Sequence, residues 1–369
     1  MQPSQQAAAP CPRAGRRGRV LEAVAGAGLD ALLVTGPANV RYLTGFTGSN
    51  GWLLLGAGRA VFLTDPRYQR QAAEELAGVE VTVSAAGLPA AAAEVLPVTG
   101  WGRVGFEPDH LTVAIHAKLA AIPDLSWKPH GGVVESLRRR KDGGEREAIV
   151  AALRIAEAAL VEVTARIEPG YGENRIAAEL EMACRLRGAR GMAFDTIVAA
   201  GPRSALPHGV AGERPVRAGE PVMIDIGCRV GGYCSDITRM VWLGGEPDPE
   251  WLALHQAVDG ARGAAMARIA AGVAAADIDA TARGVLQDAD FGAGIKHGTG
   301  HGVGLEIHEA PALSSRSSEV LEAGMVLTVE PGLYLEERYG VRIEDMVAVT
   351  ADGCERLTAL GTEPILREP

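Results

Sequence analysis

The chain is poor in cysteine. Five are scattered at positions 11, 184, 228, 234 and 354, with no CxxC pair. That excludes a disulfide framework and a thiolate zinc site. Cys228 and Cys234 flank a turn and read as reduced core or turn residues, which fits a cytosolic location. No run of about 18 apolar residues occurs, so no helix is expected to span a membrane. Basic runs are missing too, apart from Arg138–Lys141, and the net charge is −10. This argues against nucleic acid or an anionic membrane as the main partner. Arginines 13, 16, 17 and 19 precede no apolar segment of the kind a secretory signal needs, so residues 1–19 read as a disordered leader.

Apolar residues are plentiful, at 47% of 369 positions, enough for two domains with cores of their own. Residues 20–131 alternate in periodicity. A helix is predicted from Val20, running into a strand at Ala31–Val34, with a turn at Gly36–Asn39. Strands follow at Val40–Phe46, Gly51–Leu55, Arg59–Leu63, Val79–Val83 and Arg103–Phe106. Helices fall at Tyr68–Leu76, Ala85–Leu96 and Leu111–Ala120. This pattern predicts a smaller α/β domain. Residues 132–144, charged and ending in Gly-Gly, read as a linker. From 145 to 369 the pattern is α+β: two helices (Glu145–Arg166, Asn174–Arg187), a strand at Phe194–Ala199, a loop bearing His208, and a hairpin. Two more helices (Pro247–Ala271, Ala274–Asp288) then precede a second hairpin.

The hairpins carry the chemistry. In Pro221–Arg239 the apolar strand Val222–Ile224 leads to Asp225, and glycines at 227, 231 and 232 allow a reversal. If the reversal centres on Val230–Gly231, Asp225 lies directly opposite Asp236, about 5 Å away between Cβ atoms. The motif recurs: AGEPVMIDIG at Ala218–Gly227 is echoed by AGMVLTVEPG at Ala323–Gly332, placing Glu330 where Asp225 falls. A second reversal centred on Glu337 sets Glu344 opposite Glu330. A duplication folded about a pseudo-twofold axis would bring the four carboxylates together. Solvated strand ends are the bland alternative, and duplicated apolar contexts speak against it.

Between the halves, Lys296–Pro311 holds His297, His301 and His308 among glycines, which permit close backbone approach. His301, flanked by Gly300 and Gly302, is the candidate ligand. Four carboxylates and an imidazole form a hard set suited to Mn²⁺, Co²⁺ or Zn²⁺. Five ligands are too many for one ion with open positions, so two ions about 3.5–4 Å apart are expected. Such a pair can clamp a hydroxide and stabilise the oxyanion formed at a carbonyl, which implies hydrolysis of an acyl derivative.

The motifs IDIGCRVGGYCSDITR, HGTGHGVGLEIHEAP, LTVEPG and GVRIED, with PANVRYLTGFTGSN and LTDPRY upstream, resemble the creatinase/aminopeptidase family with the pita-bread fold, in its Xaa-Pro peptidase branch. The resemblance runs from about residue 20 to the end. It implies a creatinase-like N-terminal domain, a dinuclear site on Asp225, Asp236, His301, Glu330 and Glu344, bridged by Asp236 and Glu344, and manganese or cobalt as the metal. It departs from creatinase itself, which works without metal. It assigns His208, His297 and His308 to substrate binding and proton handling, and it implies a homodimer. Glu330 would shuttle the proton. Arg342, two residues before Glu344 on one strand, should orient a glutamate or substrate. Arg316 is either a clamp for a free C-terminal carboxylate or a solvated loop arginine. The expected activity is cleavage of Xaa-Pro bonds in a peptide, as a dipeptidase (prolidase) or as an aminopeptidase P on longer chains. Methionine aminopeptidase has no need of residues 20–131. A non-catalytic peptide-binding module would lack a ligand or histidine that this chain retains.

Overall fold

The computed structural model describes residues 12–289 and 291–367. The chain divides after Arg138 into two compact units. The first holds α1 (Pro12–Gly26), β1 (Ala31–Val34), α2 (Pro37–Thr44), β2 (Gly51–Gly56), β3 (Arg59–Thr64), α3 (Gln69–Glu75), β4 (Glu80–Val83), α4 (Leu88–Val95), β5 (Arg103–Phe106), α5 (Val113–Ala120), β6 (Ser126–Pro129) and α6 (Val133–Arg138). Its six strands form one sheet in the order β4-β3-β2-β1-β5-β6. The strand β1 is antiparallel to β2 and parallel to β5. Leu33, Leu54, Leu63, Leu96 and Val104 fill its core.

Four stretches of this unit differ from the sequence reading. Of the expected leader, residues 1–11 lie outside the described residues, whereas 12–19 belong to helix α1. Val40–Phe46 is not a strand. Pro37 occupies the first turn of α2, where its missing N–H costs nothing, and Gly45 ends it at φ 85°. The β-forming Val40, Tyr42 and Thr44 are buried as helix residues, so tertiary packing overrides propensity. Residues 133–138, expected as linker, form α6, whose Arg138 is 3% exposed and donates to Asn39 Oδ1 at 2.7 Å. The strand β6 was not foreseen, because its mostly exposed residues carry no apolar pattern.

The second unit contains α7 (Gly143–Thr164), α8 (Glu173–Leu186), β7 (Gly191–Met192), β8 (Ile197–Ala200), β9 (Glu220–Ile226), β10 (Cys228–Val230), β11 (Tyr233–Cys234), β12 (Ile237–Leu243), α9 (Pro249–Arg268) and α10 (Ala275–Asp288). After these come β13 (Gly300–Gly302), β14 (Glu309–Leu313), β15 (Val326–Val329), β16 (Gly332–Leu335), β17 (Tyr339–Arg342), β18 (Asp345–Val349), β19 (Cys354–Arg356) and β20 (Ile365–Arg367). The glycine pair read as the linker's end is the first turn of α7. Asp142 accepts from the Glu145 N–H at 3.0 Å while Glu145 returns a bond to the Asp142 N–H at 2.9 Å. This reciprocal cap is written in the sequence as Asp-x-x-Glu.

Helix, helix, hairpin is used twice. Strands β9, β12, β15 and β18 alternate between two cores. Val222, Ile224, Val241 and Met346 face the core under α7 and α8. Met223, Trp242, Leu327 and Val347 face the core under α9 and α10. Apolar residues on both faces of each strand follow from this.

The hairpin registers decide where the acids fall. In the first, Asp225 pairs with Thr238, and Val230 with Tyr233. The turn is therefore Gly231–Gly232, at φ 58° and 91°, and is not centred on Val230–Gly231. Asp236 is not directly opposite Asp225 but two residues from its partner. An even displacement keeps the face, so both acids still point to one side. The second hairpin has the expected register. Val329 pairs with Asp345 and Gly332 with Arg342, about a turn at Glu337, whose φ is 62°. Glu330 and Glu344 lie between the two ladder segments.

Replacing Asp142 by Ala removes half of the α7 cap. We expect a loss of about 1 kcal/mol, read as a lower urea midpoint at unchanged slope. An unchanged midpoint would mean that the cap contributes nothing.

Candidate metal centre

Asp225 is the last residue but one of β9, Asp236 precedes β12, and Glu344 lies between β17 and β18. They are 8%, 5% and 1% exposed. One carboxylate oxygen from each lies within 4.8 Å of the others. Glu330 follows β15, and His301 lies in β13. The His301 Nε2 is 3.3 Å from Glu330 Oε1 and 3.7 Å from Asp236 Oδ2. All five expected ligands thus converge. His301 Nδ1 is 3.0 Å from the Gly302 carbonyl. A carbonyl only accepts, so Nδ1 carries the proton and Nε2 turns a lone pair toward the acids, as a metal ligand must.

The acids oppose one another. Burial, then the charges of Glu344, Asp225 and Glu330, push Asp236 well above the ordinary carboxylate range. Burial, then Glu330 and Asp225, do the same to Glu344. Glu330 is raised chiefly by burial. Burial also lowers His301, keeping its imidazole neutral. Among the described residues Asp225 Oδ1 and Glu344 Oε1 are buried without any hydrogen-bond partner. A buried carboxylate oxygen left bare is costly. Two such atoms, facing an unprotonated imidazole nitrogen and two further acids, fit divalent cations by donor chemistry and by charge.

The shell around them is dense. Arg342 donates to Asp225 Oδ2 at 2.5 Å, Thr238 Oγ1 at 3.1 Å, Tyr334 Oη at 2.9 Å and the Pro207 carbonyl at 3.0 Å. It therefore grips an aspartate rather than Glu344. Burial works against its charge, yet Tyr334, Asp225 and Glu330 hold its pKa well above the usual value. Thr238 donates to Glu344 Oε2 at 2.8 Å. Behind Glu344, Asp345 is wholly buried and bound by Arg239, Arg262 and Arg356 at 2.8, 2.7 and 2.7 Å. Arg239 also donates to the Glu344 carbonyl. On α10, Asp279 accepts from the Thr299 N–H and hydroxyl at 3.1 and 2.9 Å, and the Thr299 carbonyl accepts from the Glu330 N–H. A Cβ on Gly300 would sit 2.1 Å from the Thr328 carbonyl, so only glycine fits beside His301. The sequence reading missed Thr238, Tyr334, Arg239, Asp345 and Asp279. A signal existed for Arg239: a lone arginine amid the apolar run of a buried strand needs anionic partners.

A cavity of about 500 Å³ opens onto the acids. Its wall includes His208, His297, His308, Arg316 and Arg342. His297 Nδ1 donates to the Gly298 carbonyl at 2.7 Å, so Nε2 accepts from the Tyr334 hydroxyl at 2.7 Å. Burial pushes that hydroxyl up to about 12. Burial lowers His297 as well. The His308 ring lies 4.4 Å from that of His301; burial, then His301, lowers it. His208 and Arg316 are exposed on the wall. Cys184, Cys228, Cys234 and Cys354 are free thiols, none in the cavity wall. Among the described residues no helix is long and apolar enough to cross a membrane.

A buried cage of four carboxylates and one imidazole, opening on a peptide-sized cavity, defines the protein as a metallohydrolase. Comparison with known families narrows this. The profile of Metallopeptidase family M24 matches residues 147–351, and that of the Creatinase/Prolidase N-terminal domain matches residues 16–140. The chain belongs to metallopeptidase family M24. It is 40% identical over 306 residues to the uncharacterized peptidase YqhT of Bacillus subtilis, covering 83% of this chain and 86% of that one. Its fold matches the Xaa-Pro dipeptidase from Bacillus anthracis at TM-score 0.93 and 39% identity, covering 96% of this chain and 99% of the other. It matches the X-Pro aminopeptidase from Thermotoga maritima at TM-score 0.89 and 36% identity, covering 95% and 99%. The protein is thus a peptidase of a metal-dependent family, built on the pita-bread plan.

Stability should report the ions directly. The metal-free fold holds protons on Asp236, Glu330 and Glu344 above the pH at which the unfolded chain releases them. Metal-free stability therefore falls as pH rises above about 4. Cations replace those protons, so their stabilisation grows with pH. At 100 times Kd it amounts to about 2.7 kcal/mol. We expect Mn²⁺ to raise Tm more at pH 8 than at pH 6. Equal shifts at both would contradict the electrostatic account.

Proposed function

We propose that the protein is an Xaa-Pro dipeptidase, a prolidase, hydrolysing the bond before a C-terminal proline. Asp225, Asp236, His301, Glu330 and Glu344 would hold two divalent ions, with Mn²⁺ the preferred metal over Co²⁺ or Zn²⁺ and with Asp236 and Glu344 shared between them. When bound, such ions supply an acidified water and a positive charge for a developing oxyanion. The observation that carries the dipeptide reading is Arg316. It stands exposed on the cavity wall, with no ion pair among the described residues. A dipeptide places its free carboxylate one residue beyond the scissile bond, where a guanidinium can grip it in two-point fashion.

The chain's own residues account for the remaining steps. Glu330, raised by burial, is suited to take a proton from the attacking water and pass it on. The proline nitrogen has no N–H and must gain a proton to leave. His208, His297 and His308 line the cavity that would receive that nitrogen. His297, whose ring is held by Tyr334 and the Gly298 carbonyl, would share in this proton handling. Arg342 holds Asp225 and Tyr334 in place with four hydrogen bonds, and on the cavity wall its remaining N–H would help orient substrate. A cytoplasmic homodimer completes the reading, supported by reduced cysteines and the family resemblance.

The second reading is an aminopeptidase P, favoured by the likeness to the Thermotoga enzyme. With Mn²⁺, we expect faster hydrolysis of a Xaa-Pro dipeptide than of Xaa-Pro-Yaa peptides. Arg316→Ala should raise KM for the dipeptide about 10- to 100-fold, the value of a charged hydrogen bond, and leave longer substrates nearly unchanged. Preference for longer peptides would overturn the dipeptidase assignment. Asp236→Ala and Glu344→Ala should each abolish activity and metal retention together. Full activity in either would place the site elsewhere.

A further inference from the structure

Besides Asp279 and Asp345, a further fully buried acid lies outside the cage and has no part in the chemistry above. Glu173 opens α8 and is 0% exposed. Its Oε1 accepts the Ala200 N–H at 2.9 Å, and its Oε2 accepts the Gly212 N–H at 3.1 Å. Arg203 Nε donates to Oε2 at 2.9 Å, and Arg203 Nη2 reaches the Val210 carbonyl at 2.5 Å. One carboxylate thus joins residues 200, 203 and 212, and its arginine joins 210. His208 is the exposed tip of the segment so closed. Its imidazole makes no hydrogen bond among the described residues, and it faces the cavity wall. Its position is inherited from the backbone, where the Val210 N–H bonds the His208 carbonyl and the Gly209 N–H bonds the Leu206 carbonyl.

Packing alone does not call for a charge there. Burying a carboxylate costs more than burying a methylene chain unless every oxygen is satisfied, and an apolar residue of the same size would serve a core as well. A carboxylate with three donors fixes geometry in a way an apolar contact does not. We propose that Glu173, through Arg203, is a positioning residue that sets His208 against the scissile bond. This rests on the reading of His208 as a substrate-side histidine. Asp279 serves as the contrast. It is equally buried, but it grips Thr299 and Arg283, and Arg283 bonds the His297 carbonyl at 2.7 Å. Its influence goes to the other histidine loop.

The test is a double-mutant cycle in the Mn²⁺-loaded full chain, measuring kcat and KM on an Xaa-Pro dipeptide, with Tm and bound metal per chain alongside. Glu173→Gln keeps shape and removes charge. Arg203→Met, at a partly exposed position, supplies the same test if the first variant folds poorly. Each should lower kcat/KM about tenfold, since small misplacements at a reacting centre cost that much or more. His208→Ala should lower it about 100-fold. Combined with His208→Ala, neither Glu173→Gln nor Arg203→Met should lower it further by more than about twofold, because residues acting through one group are not additive. Asp279→Asn combined with His208→Ala should multiply the two losses. Metal content of Arg203→Met should stay near that of the parent, while Tm falls because buried Glu173 loses its guanidinium. If the losses of Glu173→Gln or Arg203→Met multiply in full with that of His208→Ala, or follow a fall in metal content, the positioning role is wrong. If His208→Ala has parental activity, the reading of His208 fails first and takes the positioning role with it.

Discussion

Everything in the second unit answers to one electrostatic demand: Asp225, Asp236, Glu330 and Glu344 must occupy one small buried volume. At 4 Å two like charges repel by about 4 kcal/mol even at an effective dielectric of 20. A single guanidinium, that of Arg342, bonds Asp225 in that volume. Protons relieve the repulsion at the expense of the very groups that should bind metal, which is why burial and mutual charge raise Asp236 and Glu344 so far. Two ions would satisfy the bare oxygens of Asp225 and Glu344 and remove the repulsion at once.

Such a cluster cannot hold its own shape, so the fold holds it from behind. Each acid ends or begins a strand whose two faces are buried in separate cores, one beneath each helix pair. The backbone at Glu344 is pinned by Arg239, and Arg239 is pinned by Asp345, itself held by two more arginines. This second ion network sets three guanidiniums on one buried carboxylate, so it is net positive behind the acid cluster. It lets a like-charged cluster stand on a rigid support. The glycines serve the same end. Gly300 allows His301 to lie against the Thr328 backbone, and Gly231–Gly232 make a two-residue turn that fixes the first hairpin's register.

Most of this was legible in the residues because duplication and metal chemistry both leave local marks. The acids lie at strand ends in repeated apolar contexts, and His301 sits between two glycines. The second hairpin's register followed from symmetry about Glu337. The first did not, although Gly231–Gly232 is the better two-residue turn on sequence: both residues take positive φ, which a β-branched Val230 resists, and Val230 instead pairs with Tyr233. The error was harmless for the site, since the slip was even and the face survived. The strand expected at Val40–Phe46 failed for a different reason. Its residues favour extended backbone, and only Pro37 and Gly45, read together as start and stop, announce a helix. The supporting shell was the least visible part. Thr238, Asp279 and Asp345 look like ordinary strand and helix residues until long-range contacts pair them with Glu344, Thr299 and Arg239.

The division between cage and wall bears on how activity varies within such a fold. The five ligands and their supports are buried or half-buried, interlocked, and intolerant of small change. His208 and Arg316 are exposed on the cavity wall and reached from loops. On the proposed reading, metal chemistry belongs to the core, whereas the length of peptide accepted would depend on a few exposed side chains of the wall. Two solved structures of comparable likeness, one a dipeptidase and one an aminopeptidase, fit this separation. Overall similarity cannot choose between those activities, because it is dominated by residues that both need. The choice would rest with the wall, and there Arg316, without an ionic partner among the described residues, supports the proposed substrate that ends in proline's own carboxylate.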